Sequence, residues 1–329
     1  MIKPVKATIP TRRSFAERMK EYGKTDPDFA VFESDIGRST YSYLFGEEFP
    51  GRYFNFGIAE MATLSAAAGM AAGGRTVMVC GYGVFISMRA IEVIRSFICY
   101  PNLNVKFLSS HAGLSAAIDG VTHQATEDIA FMTTLPNMTV LAPCDTVSAA
   151  RLFDIAVETP GPVYTRLMRE PFLDIYDTND VFVRGGSHVV ISGRDVTIAA
   201  YGDMVFQAME AAEELSRQQI SAEVLDMYSI KPFDWEGIKR SVEKTGALLV
   251  VENHQKRNGL AYDVGIQLLK SNPLPFDHIG LDDCFAESGE YLPVIDKYGI
   301  SSPHIVKAAK ALLEKKSTNL IHTKRNSPR

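Results

Sequence analysis

Between Asn55 and Gly74 the chain reads Asn-Phe-Gly-Ile-Ala-Glu-Met-Ala-Thr-Leu-Ser-Ala-Ala-Ala-Gly-Met-Ala-Ala-Gly-Gly, and Glu60 is its one charged residue before Arg75. Small apolar residues at helical spacing predict a helix buried on most sides, wedged between a sheet and a second surface. Glycines close it. Burial disfavours the charged form of a carboxyl group, so an acid in the first turn of such a helix needs a reason. Either it satisfies backbone N–H groups at the helix start, or it does chemistry in a dry pocket. Both readings stand on position alone.

Strands and helices alternate on both sides of this helix. Thr11 to Tyr22 reads as a charged amphipathic helix and Phe29 to Ser34 as a strand; Tyr53 to Phe56 is a short apolar run. Strands at Arg75–Cys80, Asn104–Ser109, Met138–Pro143 and Pro162–Leu167 alternate with helical segments at Phe85–Tyr100 and Val147–Val157. This alternation predicts an α/β fold, a doubly wound, mostly parallel sheet with helices on both faces. Ligands in such sheets lie beyond the carboxyl ends of the strands. Asp35–Ser39, Gly81–Phe85, His111–His123 and Arg166 all follow strands and should converge at one edge. Proline, aspartate and asparagine without periodicity mark Glu170 to Gly186 as a linker. A second α/β unit follows, with strands at Asp195–Gly202, Ser221–Met227 and Ala247–His254 and helices at Val205–Gln218, Trp235–Lys244 and Ala261–Leu269. The expected domains are residues 1–185 and 186–329.

Composition removes several function classes. With 329 residues, 46% hydrophobic and 22% charged, the chain can bury the cores of two domains. A net charge of −5 provides no basic surface for nucleic acid, and the Lys/Arg-rich stretch after Leu313 reads as a frayed, solvated end. No apolar run reaches membrane-spanning length and no signal-peptide core is visible. Cys80, Cys99, Cys144 and Cys284 form neither metal spacing nor a disulfide framework. They read as buried thiols of a cytoplasmic protein.

The loop His111-Ala-Gly-Leu-Ser-Ala-Ala-Ile-Asp119-Gly-Val-Thr-His123-Gln offers two histidines, a carboxylate and an amide to a polar ligand. Its spacing matches no compact metal site. A single histidine more often satisfies a structural bond; two with Asp119 between them, directly after a strand, favour a ligand.

Asn-Phe-Gly-Ile-Ala-Glu60, Tyr82-Gly-Val-Phe85, the His111–Gln124 loop, Leu-Ala-Pro-Cys-Asp145 and Tyr-Thr-Arg166 together resemble the pyrimidine-binding domain of transketolase, and the likeness continues into its carboxyl-terminal domain. Deoxyxylulose-phosphate synthase is less similar: it has an arginine in place of His111 and a shorter loop. The beta subunits of 2-oxo acid dehydrogenases have a different His-rich loop.

The resemblance implies thiamine diphosphate. In this family the coenzyme's own amino group acts as base once a carboxyl group shares a proton with pyrimidine N1′, the position matched by Glu60. Phe85 matches the ring stacked on the pyrimidine, with Tyr82 in the same pocket, and core packing is the alternative for both. Asp35 matches a position on the pyrimidine side, with turn capping equally open. Ser39, His111 and Arg166 match residues that hold a sugar phosphate, and a sulfonate would suit the same groups. Asp119 matches a reader of a sugar hydroxyl, and His123 a catalytic contact to donor hydroxyls. The Gly-Asp-Gly motif of the diphosphate domain has no counterpart here, since Tyr201-Gly-Asp-Met lies in the second unit. The implied protein is therefore the carboxyl-terminal half of a split transketolase. It would pair with an amino-terminal, diphosphate-binding subunit that mainly holds Mg²⁺ or Ca²⁺, and would self-associate into a heterotetramer acting on sugar phosphates. The apolar surface of residues 60–73 and 85–98 would form the seam. A non-catalytic scaffold subunit is the alternative, and it leaves Glu60 without a purpose.

Overall fold

Apolar strands bounded by glycine and polar turns assemble into two main sheets. The computed structural model describes residues 4–271 and 273–325; Met1, the end of the basic tail at Asn326 and the remaining residues lie outside it. In the first sheet the order is Ser229–Lys231, Thr139–Leu141, Val163–Arg166, Val105–Ser110, Val77–Tyr82, Ala30–Glu33, Tyr53–Asn55. All run parallel except Ser229–Lys231, which pairs antiparallel with Thr139–Leu141. The second sheet runs Phe276–Leu281, Leu248–Gln255, Val196–Ala200, Ala222–Asp226, His188–Ile191, with the last strand antiparallel. A boundary near residue 185 is thus crossed by one strand, residues 229–231, which closes the edge of the first sheet.

Phe15, Phe29, Phe45 and Phe153 pack edge to face beneath the helices Thr11–Gly23 and Thr146–Glu158. Each fully buried phenyl ring contributes about 1.5–3 kcal/mol. Asp145 caps the second of these helices, accepting from Ser148 N at 2.7 Å, and its other oxygen receives Ile175 N and Tyr176 N. The Pro-Cys-Asp turn is therefore a helix cap that also fastens the linker. On the opposite face, helix Glu60–Ala72 buries Leu64, Ala67, Ala68 and Ala71. Its other side departs from the expected burial: Met61, Ser65 and Gly69 are exposed.

Three further departures concern local structure. The segment after Phe85 is not one α-helix; π-helical turns at Phe85–Arg89 and Ile94–Cys99 flank a single α-turn at Ile91–Val93. Periodicity of apolar residues does not distinguish 3.6 from wider turns over so short a span. The basic end does not fray at Leu313, because helix Ser302–Arg325 carries the backbone through it. Cys80, Cys99 and Cys144 are buried, whereas Cys284 is partly exposed at the wall of an interdomain cavity of about 330 Å³.

Where the two units meet, Asp226 Oδ2 accepts from Tyr176 OH at 2.7 Å and from Cys144 Sγ at 3.3 Å. Burial pushes this carboxyl up to about 7, and the two donors offset only part of it. A carboxyl raised from its unfolded value near 3.9 adds stability that is complete below that value and is lost as pH rises through the folded one. The chain should therefore lose stability between about pH 4 and about pH 7. In Asp226→Asn that loss should shrink, as read from urea midpoints at both pH values. An unchanged pH dependence would refute the assignment.

Candidate active site

In chain order the parallel strands of the first sheet reverse direction of addition between Ala30–Glu33 and Val77–Tyr82. A crevice opens there at the carboxyl ends, the place where open α/β sheets receive ligands. Tyr82 OH donates to Ser39 Oγ across it at 2.8 Å. Arg12, from the first turn of the first helix, donates through Nη1 to Ser39 O at 2.6 Å and to Ser39 Oγ at 3.2 Å.

The loop after Val105–Ser110 folds over the same crevice. His111 lies against Tyr82, ring centroids 4.1 Å apart, and His123 meets the rings of Tyr82 and Phe85 at 5.6 and 5.3 Å. His111 is 1% exposed; Ser110 Oγ bonds its Nδ1 at 2.8 Å, and its Nε2 is 3.5 Å from Asp119 Oδ2. Burial, then the charges of Arg12, Arg169 and His123, lower its pKa to about 2. His111 is therefore a neutral hydrogen-bonding group in a positive field. Thr122 Oγ1 sits 2.9 Å from His123 Nδ1, leaving Nε2 without a bond to that neighbour.

Glu60 is buried at the start of its helix, as expected, but its surroundings are not purely apolar. Arg89 Nη1 donates to Oε2 at 2.9 Å, and the same guanidinium lies 4.8 Å over the Phe85 ring. The arginine comes from the π-helical turn, so helical spacing did not reveal it. One cation bridges Glu60 and Phe85, lying over the ring while donating to the acid. Asp35 sits apart at the rim with φ +60°, accepting from Asn55 Nδ2 at 3.2 Å, a turn geometry.

Arg166 is a correction. It is 2% exposed, and its Nε donates to Asp128 Oδ2 at 2.9 Å while Nη2 reaches Ala125 O and Asn253 O at 3.0 and 2.8 Å. Burial alone would lower its pKa, but Asp128 and Tyr201 raise it above its ordinary value. It ties the sheets together instead of facing the crevice. The arginines beside Ser39, His111 and Asp119 are Arg12 and Arg169, the latter with Nε 3.7 Å from Asp119 Oδ2. Both escaped the sequence reading. Arg12 lay in a helix read only as charged and amphipathic, which does not say that its first turn, where Thr11 is buried, borders the crevice. Arg169 follows Arg166 by one strand-end turn, and the spacing alone did not say which of the two turns outward.

A crevice at a strand-order switch, lined by aromatics, two histidines and two arginines, defines a doubly wound α/β protein whose candidate site lies at the carboxyl edge of its first sheet. Family comparisons divide the chain the same way. The transketolase pyrimidine-binding domain matches residues 7–172, and the transketolase C-terminal domain matches residues 185–305. The chain is 36% identical over 308 residues to the 6-deoxy-6-sulfo-D-fructose transketolase subunit SqwH of Clostridium sp. strain MSTE9, covering 93% of this chain and 95% of that protein. It is 34% identical to a subunit of the apulose-4-phosphate transketolase of Phocaeicola vulgatus, covering 93% and 98%. Human transketolase matches at 30%, with 93% of this chain but 49% of that protein. Among solved structures, a split gene transketolase described as an inactive beta4 tetramer aligns with a TM-score of 0.87 and 38% identity, over 94% of this chain and 99% of that one. The chain belongs to the transketolase family, as a beta-type subunit of its split form. Membership carries dependence on thiamine diphosphate and group-transfer chemistry.

Proposed function

We propose that this chain is the pyrimidine-binding half of a two-subunit transketolase. With a diphosphate-binding subunit it moves a two-carbon ketol unit between a ketose phosphate and an aldose phosphate. The observation that carries this reading is the Arg89 guanidinium held between Glu60 and Phe85. A planar nitrogenous cation already fits there, donating to the acid and lying over the ring, the two contacts an aminopyrimidine would also make. Thiamine diphosphate, when bound, supplies the nucleophilic carbon that carries the ketol unit. Glu60 would hold and share the proton at pyrimidine N1′, and Phe85 and Tyr82 would enclose the ring. His123 would contact donor hydroxyls and Asp119 an acceptor hydroxyl. Ser39, neutral His111, Arg12 and Arg169 would receive the terminal anion, phosphate or sulfonate alike. Among the described residues no group of three or more His, Cys, Asp or Glu side chains could hold a metal. The diphosphate and its Mg²⁺ or Ca²⁺ are assigned to the partner.

The seam follows from the open side of helix Glu60–Ala72. Ile58, Met61, Met88, Phe97 and Tyr100 are exposed, and a groove of about 430 Å³ runs between Gly69, Ala72 and Phe97. Contiguous apolar surface of this kind marks an interface. Symmetric pairing of two such chains with two partners would give a heterotetramer.

Arg89 must leave for the ring to enter. A half-exposed ion pair is worth about 0.2–1 kcal/mol, so Arg89→Ala should lower the cofactor's half-saturation concentration by at most about fivefold. A tenfold rise would mean that Arg89 holds Glu60 in place instead. The whole reading is tested by co-purifying this chain with a diphosphate-binding transketolase subunit from the same source. Transfer from xylulose 5-phosphate to ribose 5-phosphate is expected from the pair and from neither subunit alone. Use of pyruvate as donor by the pair, or full activity of this chain alone, would contradict it.

A further inference from the structure

The second sheet has its own switch point, between Val196–Ala200 and Leu248–Gln255, again where doubly wound sheets receive a ligand. Here the position is taken by the first unit's loop. Leu114, fully buried, donates its N–H to Asn253 Oδ1 at 2.9 Å. Asn253 Nδ2 donates to Asp203 Oδ2 at 2.5 Å, which fixes the amide so that its oxygen faces the loop. Gly113, at φ +51°, lies so close that a Cβ there would stand 2.4 Å from Asn253 Oδ1. Farther along, Ser288 Oγ donates to Ile118 O at 2.6 Å, Gln124 Nε2 to Glu287 O at 3.0 Å, and Gln255 N to Thr126 O at 2.8 Å.

The loop needs such support. His111 and Ala117, neither of them glycine, stand at φ +62° and +51°. Each such residue costs about 1–3 kcal/mol and persists only where its surroundings over-determine it. We infer that the second domain is the template on which the loop carrying His111, Asp119 and His123 is set, with Asn253 as the positioning residue that acts through Leu114. The glutamate beside it does separate work: Glu252 accepts Leu260 N and Ala261 N at 2.8 and 2.9 Å and caps the following helix.

This inference rests on the active-site reading above, and its test separates the two. In the two-subunit enzyme, Asn253→Ala should raise KM for both sugar phosphates about tenfold or more, because the Leu114 donor loses its acceptor. The thiamine diphosphate half-saturation should stay within about twofold, since Glu60 and Phe85 stand on other elements. Hydrogen exchange of this chain alone should quicken over residues 111–126 and not over helix Thr11–Gly23. Ser288→Ala, at an exposed residue, should act in the same direction by about threefold and decides the matter if Asn253→Ala does not fold. Unchanged KM in both variants, or exchange that quickens evenly across the chain, would overturn the template. A Glu60→Gln enzyme with full activity would overturn the active-site reading instead, while the exchange measurement would still decide the template.

Discussion

Glu60→Gln is expected to lower kcat of the two-subunit enzyme by about 10²- to 10⁴-fold, the range of a lost proton-transfer group. Glutamine keeps the shape, and its oxygen can still accept from Arg89 Nη1, now 2.9 Å from Oε2. It cannot give or share an acidic proton. Fold and assembly should therefore persist, as read by circular dichroism and by co-elution with the partner. Steady-state rates at saturating cofactor check the prediction. A variant within about threefold of wild type would return Glu60 to the role of a helix-start carboxylate and reopen the scaffold alternative.

Arg166→Ala should act on stability. Removing the guanidinium leaves Asp128, 1% exposed, with Tyr164 OH at 2.8 Å and without the ion pair that Arg166 supplies. Breaking a buried pair on one side costs about 3–5 kcal/mol. A single-domain stability is about 5–15 kcal/mol, so the loss is a large fraction of the whole. The carbonyls of Ala125 and Asn253 lose their shared donor as well, which loosens the seam between the units. Denaturant midpoints of the isolated chain read the effect. If stability were unchanged and only KM for sugar phosphate rose, Arg166 would be the anion ligand that the family resemblance implied.

Much of the architecture was legible because buried parallel strands read as apolar runs and surface helices as periodic ones. Helix Glu60–Ala72 has Glu60 in its first turn, as expected, and strand Val105–Ser110 starts one residue after the expected Asn104. What escaped depends on partners distant in sequence. Ser229–Lys231 is only three residues long, and its mate is Thr139–Leu141. The fate of Arg166 is decided by Asp128, 38 residues earlier, and that of Glu60's second neighbour by Arg89, 29 residues later. Within the site, the loop motif exposed the histidines and Asp119 together, since all three fall within thirteen residues of one strand-end loop. Arg12 and Arg169 are brought to them from other elements, and no local pattern distinguishes either arginine from a solvated one. The asymmetry of helix Glu60–Ala72, buried on one side and open on the other, was equally hidden, because small apolar residues line both sides. Only the fold shows which side the sheet covers.

The shared cofactor site is tested most directly by titrating thiamine diphosphate calorimetrically, in the presence of Mg²⁺, into this chain alone, into the diphosphate-binding subunit alone and into their complex. One cofactor per copy of this chain should bind to the complex at micromolar or lower concentration, with that affinity lost from either subunit by itself. Tight binding to the isolated chain, or a complex that binds no cofactor, would contradict the account.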